Sequence, residues 1–347
     1  MPQIAIVGES WGREEEAQRV PFVGAAGYEL TRMLNEAGIH RADCFLTNVF
    51  NLHPPGNDRS WLCGPKDTAL RGYPKLLKGK EKDHNFYRGD YVRAEFAGEL
   101  ERLANELLEV NPNIVVAVGN TALWALAGKT AISKLRGATM LSTHTVSGFK
   151  MVGTYHPSAV LRQWSLRPIT IVDLQKAKRE STFPEIRRPR REIWIEPTLE
   201  DIYDFHDRFV AKVPLISVDI ETAGRLITCV GIAPDRTRAI VIPFFDPGRL
   251  GRSYWPTAKS ERAAWAYIKS LMESPSLRKL FQNGLYDIAF FWRAMGIKVA
   301  GAEEDTMLLH YALQPESLKS LGFLGSIYTD EGSWKDMRKR KTIKRDD

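Results

Sequence analysis

Asp219 and Glu221 stand one residue apart at the end of an apolar run, Leu215, Ile216, Val218 and Ile220, in the stretch "PLISVDIETAG". Side chains at i and i+2 of a strand leave the same face, so these two carboxylates point one way. Like charges at that spacing repel, and each resists burial. A divalent cation resolves the conflict, because hard ions such as Mg2+ and Mn2+ prefer carboxylate oxygen. Further along, "FQNGLYDIAFF" sets Asn283 and Asp287 where a strand runs into a helix, and Asp287 adds a third acid. A lone Asp-x-Glu ordinarily marks a solvated strand end. With Asp287 as a third acid, a metal-ligand set stands beside that reading.

The elements that must position these acids form the later of two domains, as a 347-residue chain exceeds what one core ordinarily takes. Strands are expected over 214–220, 226–233, 238–243 and 279–283, with helices over 257–273, 284–295 and 305–313. The earlier half alternates strands (2–8, 44–50, 113–119, 151–158) with helices, which predicts an α/β layered domain with a largely parallel sheet. Ligands of such sheets sit at the carboxyl ends of the strands, here punctuated by "GES", "TNVFNLHPPGN", "GN" and "HPS". Between the halves, "STFPEIRRPRREIWIEPT" (181–198) carries three prolines and an arginine run and reads as a linker.

The net charge is +7, with basic clusters at 176–180, 187–192 and 338–345, which suits a polyanion such as nucleic acid or a solvated linker and tail. No apolar run approaches the roughly eighteen residues of a membrane span. "MPQIAIVGES" lacks the features of a secretion signal, so the reading is a cytoplasmic protein with no membrane partner. Three scattered cysteines, Cys44, Cys63 and Cys229, read as core or incidental thiols.

The stretches "VGESWGREEE", "VPFVGAAGYELTRMLNEAGI", "TNVFNLHPPGN", "PNIVVAVGNTAL" and "GTYHPSAVLR" occur in this order over residues 3–178. Together they resemble the uracil-DNA glycosylase superfamily, most closely its bacterial and archaeal branch that carries an iron–sulfur cluster. An enzyme acting on a base must flip it out of the stack and hold it by stacking and by its Watson–Crick edge. The resemblance implies that Phe22 stacks on uracil and that Asn48 reads its edge, as an amide both donates and accepts. It implies that His156 donates to the oxygen where charge develops as the glycosidic bond breaks. Leu161 and Arg162 match the loop that wedges into DNA, and Glu9 lies in the motif lining the pocket and the attacking water. The chain departs from the branch in its cysteines, of which only Cys63 matches a ligand position, so no iron–sulfur cluster is expected. Trp11 replaces a proline beside the catalytic water, which counts against excision.

From residue 214 to about 336, "SVDIET", "NGLYD" and "EEDTMLLHYALQPESLKSLGFLGSIY" resemble the proofreading 3′–5′ exonuclease domain of DNA polymerase I. That family uses two Mg2+ or Mn2+ ions. The resemblance implies that Asp219 bridges both ions, Glu221 binds the water-bearing ion, Asp287 holds the second through water, and Asn283 positions the strand. Asp305 matches a packing segment. The family's last acid, in a tyrosine-x-x-x-aspartate motif, has no counterpart, because Tyr311 is followed by Pro315 and Tyr328 by Gly332.

The expected fold class is therefore α/β, with a glycosylase-like three-layer domain (1–180), a basic linker (181–198), an incomplete RNase H-like exonuclease domain (199–336) and a basic tail (337–347). This order resembles the front end of bacteriophage family-A DNA polymerases. The expected function is DNA processing with Mg2+-dependent 3′–5′ exonuclease chemistry. The expected partners are single-stranded DNA or a primer terminus, and a separately encoded polymerase domain. Two alternatives stand beside it: an inert DNA-binding module, and an active uracil-DNA glycosylase.

Overall fold

A computed structural model describes residues 2–76, 90–249, 251–302 and 304–331. The basic tail expected at 337–347 lies outside the described residues. The chain divides into two compact units, one of 1–188 together with 322–347 and one of 189–321.

The first unit runs β1 (Ile4–Ser10), α1 (Arg13–Gln18), α2 (Ala25–Glu36), β2 (Cys44–Phe50), β3 (Cys63–Gly64), β4 (Tyr91–Val92), α3 (Ala97–Val110), β5 (Ile114–Val118), α4 (Asn120–Ala127), α5 (Ile132–Leu135), β6 (Thr139–Thr143), β7 (Ser147–Thr154), α6 (Pro157–Arg162) and α7 (Arg167–Glu180). Its sheet has the order β2-β1-β5-β7-β6. Pairing is parallel except between β6 and β7. Both faces of β1 and β5 are apolar, so both are covered by helices, as a parallel sheet requires. Ala5, Val7, Val115 and Ala117 pack on one face with α3 and α4 residues such as Leu103 and Leu123. Ile4, Ile6, Ile114 and Val116 pack on the other with Leu30, Met33 and Leu34 of α2 and Leu174 of α7.

The second unit runs β8 (Glu192–Ile195), α8 (Leu199–Arg208), β9 (Leu215–Ala223), β10 (Leu226–Ala233), β11 (Arg238–Pro243), α9 (Ala258–Glu273), β12 (Arg278–Phe281), α10 (Leu285–Met295), β13 (Glu304–Asp305) and α11 (Thr306–Leu313). The sheet order is β13-β12-β9-β10-β11-β8. The hairpins β9–β10 and β10–β11 are antiparallel, and the outer pairs are parallel. This is the mixed α/β arrangement of an RNase H-like fold. Residues 192–195, within the stretch read as a linker, form the edge strand β8. The reason is the alternation in "EIWI", in which Trp194 turns inward onto Phe205 and Phe209 while Ile193 and Ile195 face solvent.

A last helix, α12 (Leu321–Tyr328), groups with the first unit from Gly322 onward.

Candidate functional site

In the first unit the carboxyl ends of β1, β2 and β7 converge. Gly8 pairs with Asn48 across β1 and β2. A methyl group on Gly8 would meet Asn48 Oδ1 and lie 2.5 Å from Phe22 Cζ, so glycine alone lets both side chains close over this strand end. Asn48 is only 2% exposed, and its carbonyl accepts from Arg102 Nη2 at 2.8 Å. That bond fixes the end of β2 and leaves the amide as the group facing Gly8.

Phe22 is buried with a left-handed backbone, φ 57°. A phenylalanine there is strained by about 1–2 kcal/mol, so the surroundings must hold it. Glu15 does so. One carboxylate oxygen accepts from the N–H groups of Val23 (3.1 Å) and Gly24 (2.9 Å), and the other from Gly12 at 3.1 Å. One side chain thus ties the loop after β1 to the loop carrying Phe22. The sequence reading passed over Glu15 because "REEE" looks like the solvated first turn of a helix.

His156 follows β7 and caps α6. Its Nδ1 accepts from the N–H of Ser158 at 3.2 Å and lies 2.8 Å from the Ser158 hydroxyl. A backbone N–H can only donate, so in the neutral ring the proton sits on Nε2. Burial is the largest influence on this imidazole and holds its pKa below the usual range, while Glu9 opposes the shift. The ring is therefore a neutral donor through Nε2. Its centroid lies 6.2 Å from that of Phe22.

Glu9 is half-buried beside this group. Its Oε2 accepts from the Thr121 hydroxyl and from Arg59 Nη1 at 3.3 Å. Arg59 and Thr121 are further members of the site that the sequence reading missed. Leu161, 47% exposed, and the exposed Arg162 project from α6, whose N-cap is His156. Trp11 is anchored by its backbone N–H to Leu52 O at 3.1 Å, and among the described residues its buried indole Nε1 meets no hydrogen-bond partner.

Cys63 packs on one face of the sheet and Cys44 on the other, while Cys229 belongs to the second unit. Burial pushes Cys63 up to about 12 and Cys44 up to about 11, the state of neutral core thiols.

In the second unit, Asp219 and Glu221 lie exposed on β9. Asp287 enters from the first turn of α10 and is 5% exposed. Its Oδ1 accepts from the N–H of Ile220, between the two other acids, at 3.1 Å. Burial first, then the Asp219 charge, push Asp287 up to about 6. Asp219 is likewise raised, first by partial desolvation of its carboxylate against the packed sheet although the residue is exposed overall, then by Glu221. Asn283 has a left-handed backbone, φ 61°, and its N–H donates to Asp305 Oδ1 at 3.1 Å. Asp305 also accepts from Gly284 (2.7 Å) and Met307 (2.8 Å), so it caps α11 and pins the start of α10. Asp305, matched to a packing segment in the sequence, thereby sets where Asp287 emerges.

Asp219 and Asp287 fit a shared cation by donor type and by mutual electrostatics. Among the described residues, however, no group of three or more Asp, Glu, His or Cys is close enough to hold an ion. Asp219 acts electrostatically on Asp287 and is itself acted on by Glu221, so the three expected acids are electrostatic neighbours.

The two units correspond to a glycosylase-like domain joined to an exonuclease-like domain. The model of the uracil DNA glycosylase superfamily matches residues 1–186, and the chain belongs to that superfamily. A 3′-5′ exonuclease family model matches residues 199–346. A type-4 uracil-DNA glycosylase of Thermotoga maritima is 33% identical over 180 residues, 51% of this chain and 76% of that protein. The type-4 uracil-DNA glycosylase of Archaeoglobus fulgidus is 30% identical over 179 residues, 50% and 74% of the two chains. A DNA polymerase of Bacillus phage SP01 is 22% identical over 250 residues, 62% of this chain and 25% of that protein. Brucella melitensis NrnC with bound Mg2+ aligns with 40% of this chain and 59% of its own, at 18% identity and a TM-score of 0.27. Among the described residues no helix is long and apolar enough to cross a membrane.

Proposed function

We propose that the first unit binds uracil flipped out of DNA and cleaves its glycosidic bond. The observation carrying this reading is the closure of Asn48 and Phe22 over Gly8, with the Nε2 donor of His156 at the carboxyl end of β7, one strand beyond β5. Phe22 supplies the stacking face and the Asn48 amide pairs with the uracil edge. As the bond to the sugar breaks, negative charge grows on uracil, and a neutral Nε2–H donor stabilises that anion without neutralising it beforehand. Glu9, held by Thr121 and Arg59, orients the attacking water. Leu161 fills the gap left in the base stack, and Arg162 meets a phosphate. Trp11 occupies the place of a proline in this family and tunes the rate rather than the base read.

The test is release of free base from oligonucleotides carrying one uracil, cytosine or thymine in the same context. Wild type releases uracil alone, and Asn48→Asp gains cytosine at the expense of uracil. Release of no base by wild type, with the oligonucleotides bound, refutes the reading.

A second reading, metal-dependent 3′–5′ cleavage of DNA by the second unit, is favoured by the rise of Asp287 to about 6 beside Asp219. Mg2+ or Mn2+ bound there would neutralise the pair and supply a Lewis acid for phosphodiester hydrolysis. DNA, as a single strand or a primer terminus, is the partner of both readings. No feature of the described residues supports a separately encoded polymerase domain as a partner.

A further inference from the structure

The helix α12 follows the nuclease-type unit in sequence, within the span matched by the exonuclease family, yet it packs into the first unit. Its apolar side, Phe323 and Leu324, is buried. Two cations of the first unit, both almost wholly buried, reach it. Lys176 of α7 is 1% exposed, and its Nζ donates to Gly137 O (2.7 Å), Ser326 O (3.1 Å) and Thr329 O (2.6 Å). Arg136 is 2% exposed. Its Nη1 donates to the Ser326 hydroxyl at 2.9 Å, and its guanidinium stands 5.6 Å from the Phe323 ring centroid.

The last four carbonyls of a helix have no intrahelical partner. Ser326 O is one of these, and Lys176 satisfies it. The dependence is mutual. A buried ammonium needs acceptors, and two of its three come from α12 and the residue after it. The backbone is shaped for the same contact. Gly137 has φ +68°, and a Cβ there would lie 2.7 Å from Asp173 Oδ1 and 3.0 Å from Ser326 O.

The contact continues toward the uracil site. Arg136 holds the buried Asp173 with two donors, Nε at 2.8 Å and Nη2. Asp173 Oδ2 in turn accepts from the hydroxyl of Thr154 at 2.8 Å. Thr154 is the last residue of β7, two before His156.

We propose that α12 is an integral staple of the glycosylase-type unit, and that through Arg136, Asp173 and Thr154 it holds the strand end presenting His156. That unit is then completed only by residues that follow the nuclease-type unit in the chain. The proposal does not depend on which bond either site cleaves.

Amide hydrogen exchange on the full chain tests it, comparing wild type with Phe323→Ser and with Leu318→Ser, an exposed residue nearby. In wild type the α12 amides are expected to be protected like those of α7. Phe323→Ser is expected to speed exchange at 152–160 by about tenfold or more, with β10 and β11 unchanged. Leu318→Ser changes neither region. Unfolding of the first unit alone in Phe323→Ser also upholds the proposal. Open-chain exchange of α12 in wild type, or an effect of Phe323→Ser confined to 321–330, overturns it.

Discussion

The N–H of Ile220 donates to the carboxylate of Asp287 at 3.1 Å, so the buried acid of α10 is tied to the peptide between Asp219 and Glu221. The bond sets Asp287 against the strand while leaving it near a like charge. One N–H does not offset burial and the Asp219 charge, and the carboxyl is pushed up to about 6.

Stability follows from that shift. Asp287 has a folded pKa above its unfolded value of 3.8, so the folded state holds its proton more tightly. Its contribution is fully present below pH 3.8 and is lost as pH rises through about 6. By linkage the loss is on the order of 3 kcal/mol. Asp287→Asn is expected to stabilise the second unit at pH 7.5 and to flatten its melting temperature between pH 4 and 7. Calorimetry across that range checks this, and an unchanged pH slope would remove Asp287 as the source.

A cation shared by Asp219 and Asp287 would act on the same term. Adding Mg2+ or Mn2+ at pH 7 is expected to raise the melting temperature of wild type and to leave Asp219→Asn unmoved. Asp219→Ala is expected to abolish any metal-dependent release of nucleotides from a 3′ end. Release by Asp219→Ala at the wild-type rate would unseat the assignment.

Glu15 positions Phe22 through three backbone bonds without reaching the base itself. Glu15→Ala leaves these N–H groups without their acceptor, at about 1–3 kcal/mol. The expected result is a raised KM for uracil-containing DNA with a smaller fall in kcat, and partial recovery in Glu15→Gln. An effect on kcat alone would place Glu15 in the chemistry instead.

Gly8→Ala puts a methyl group where Asn48 Oδ1 and the Phe22 ring lie. It is expected to abolish uracil release while the β1–β2 pairing persists, as judged by circular dichroism. Retained release would show that the two side chains do not close over Gly8 when DNA is bound.

The grouping at the strand ends was legible because its residues come from loops of distinctive type at parallel strand ends. Phe22, Asn48 and His156 are found at that end of the sheet, and Gly8 joins the first two. The residues that fix them were not legible. Glu15 lies in an acidic run, Arg59 in a polar loop, and Thr121 in an apolar helix, so their partners appear only after the chain folds back. β8 was hidden inside an arginine- and proline-rich run whose composition outweighed its short alternation. α12 carries an apolar pattern that fits either unit. The contacts of Lys176 and Arg136, long-range in sequence, tie it to the first. The acids of β9 and α10 were found by type and spacing.

The most direct test of the central claim uses one end-labelled single strand carrying a single uracil, treated with wild type and with His156→Ala in excess chelator, then with alkali. Wild type is expected to give one break at the uracil, and His156→Ala to slow its appearance by about a hundredfold or more. An intact strand with wild type bound to it, or equal cleavage by His156→Ala, would contradict the account.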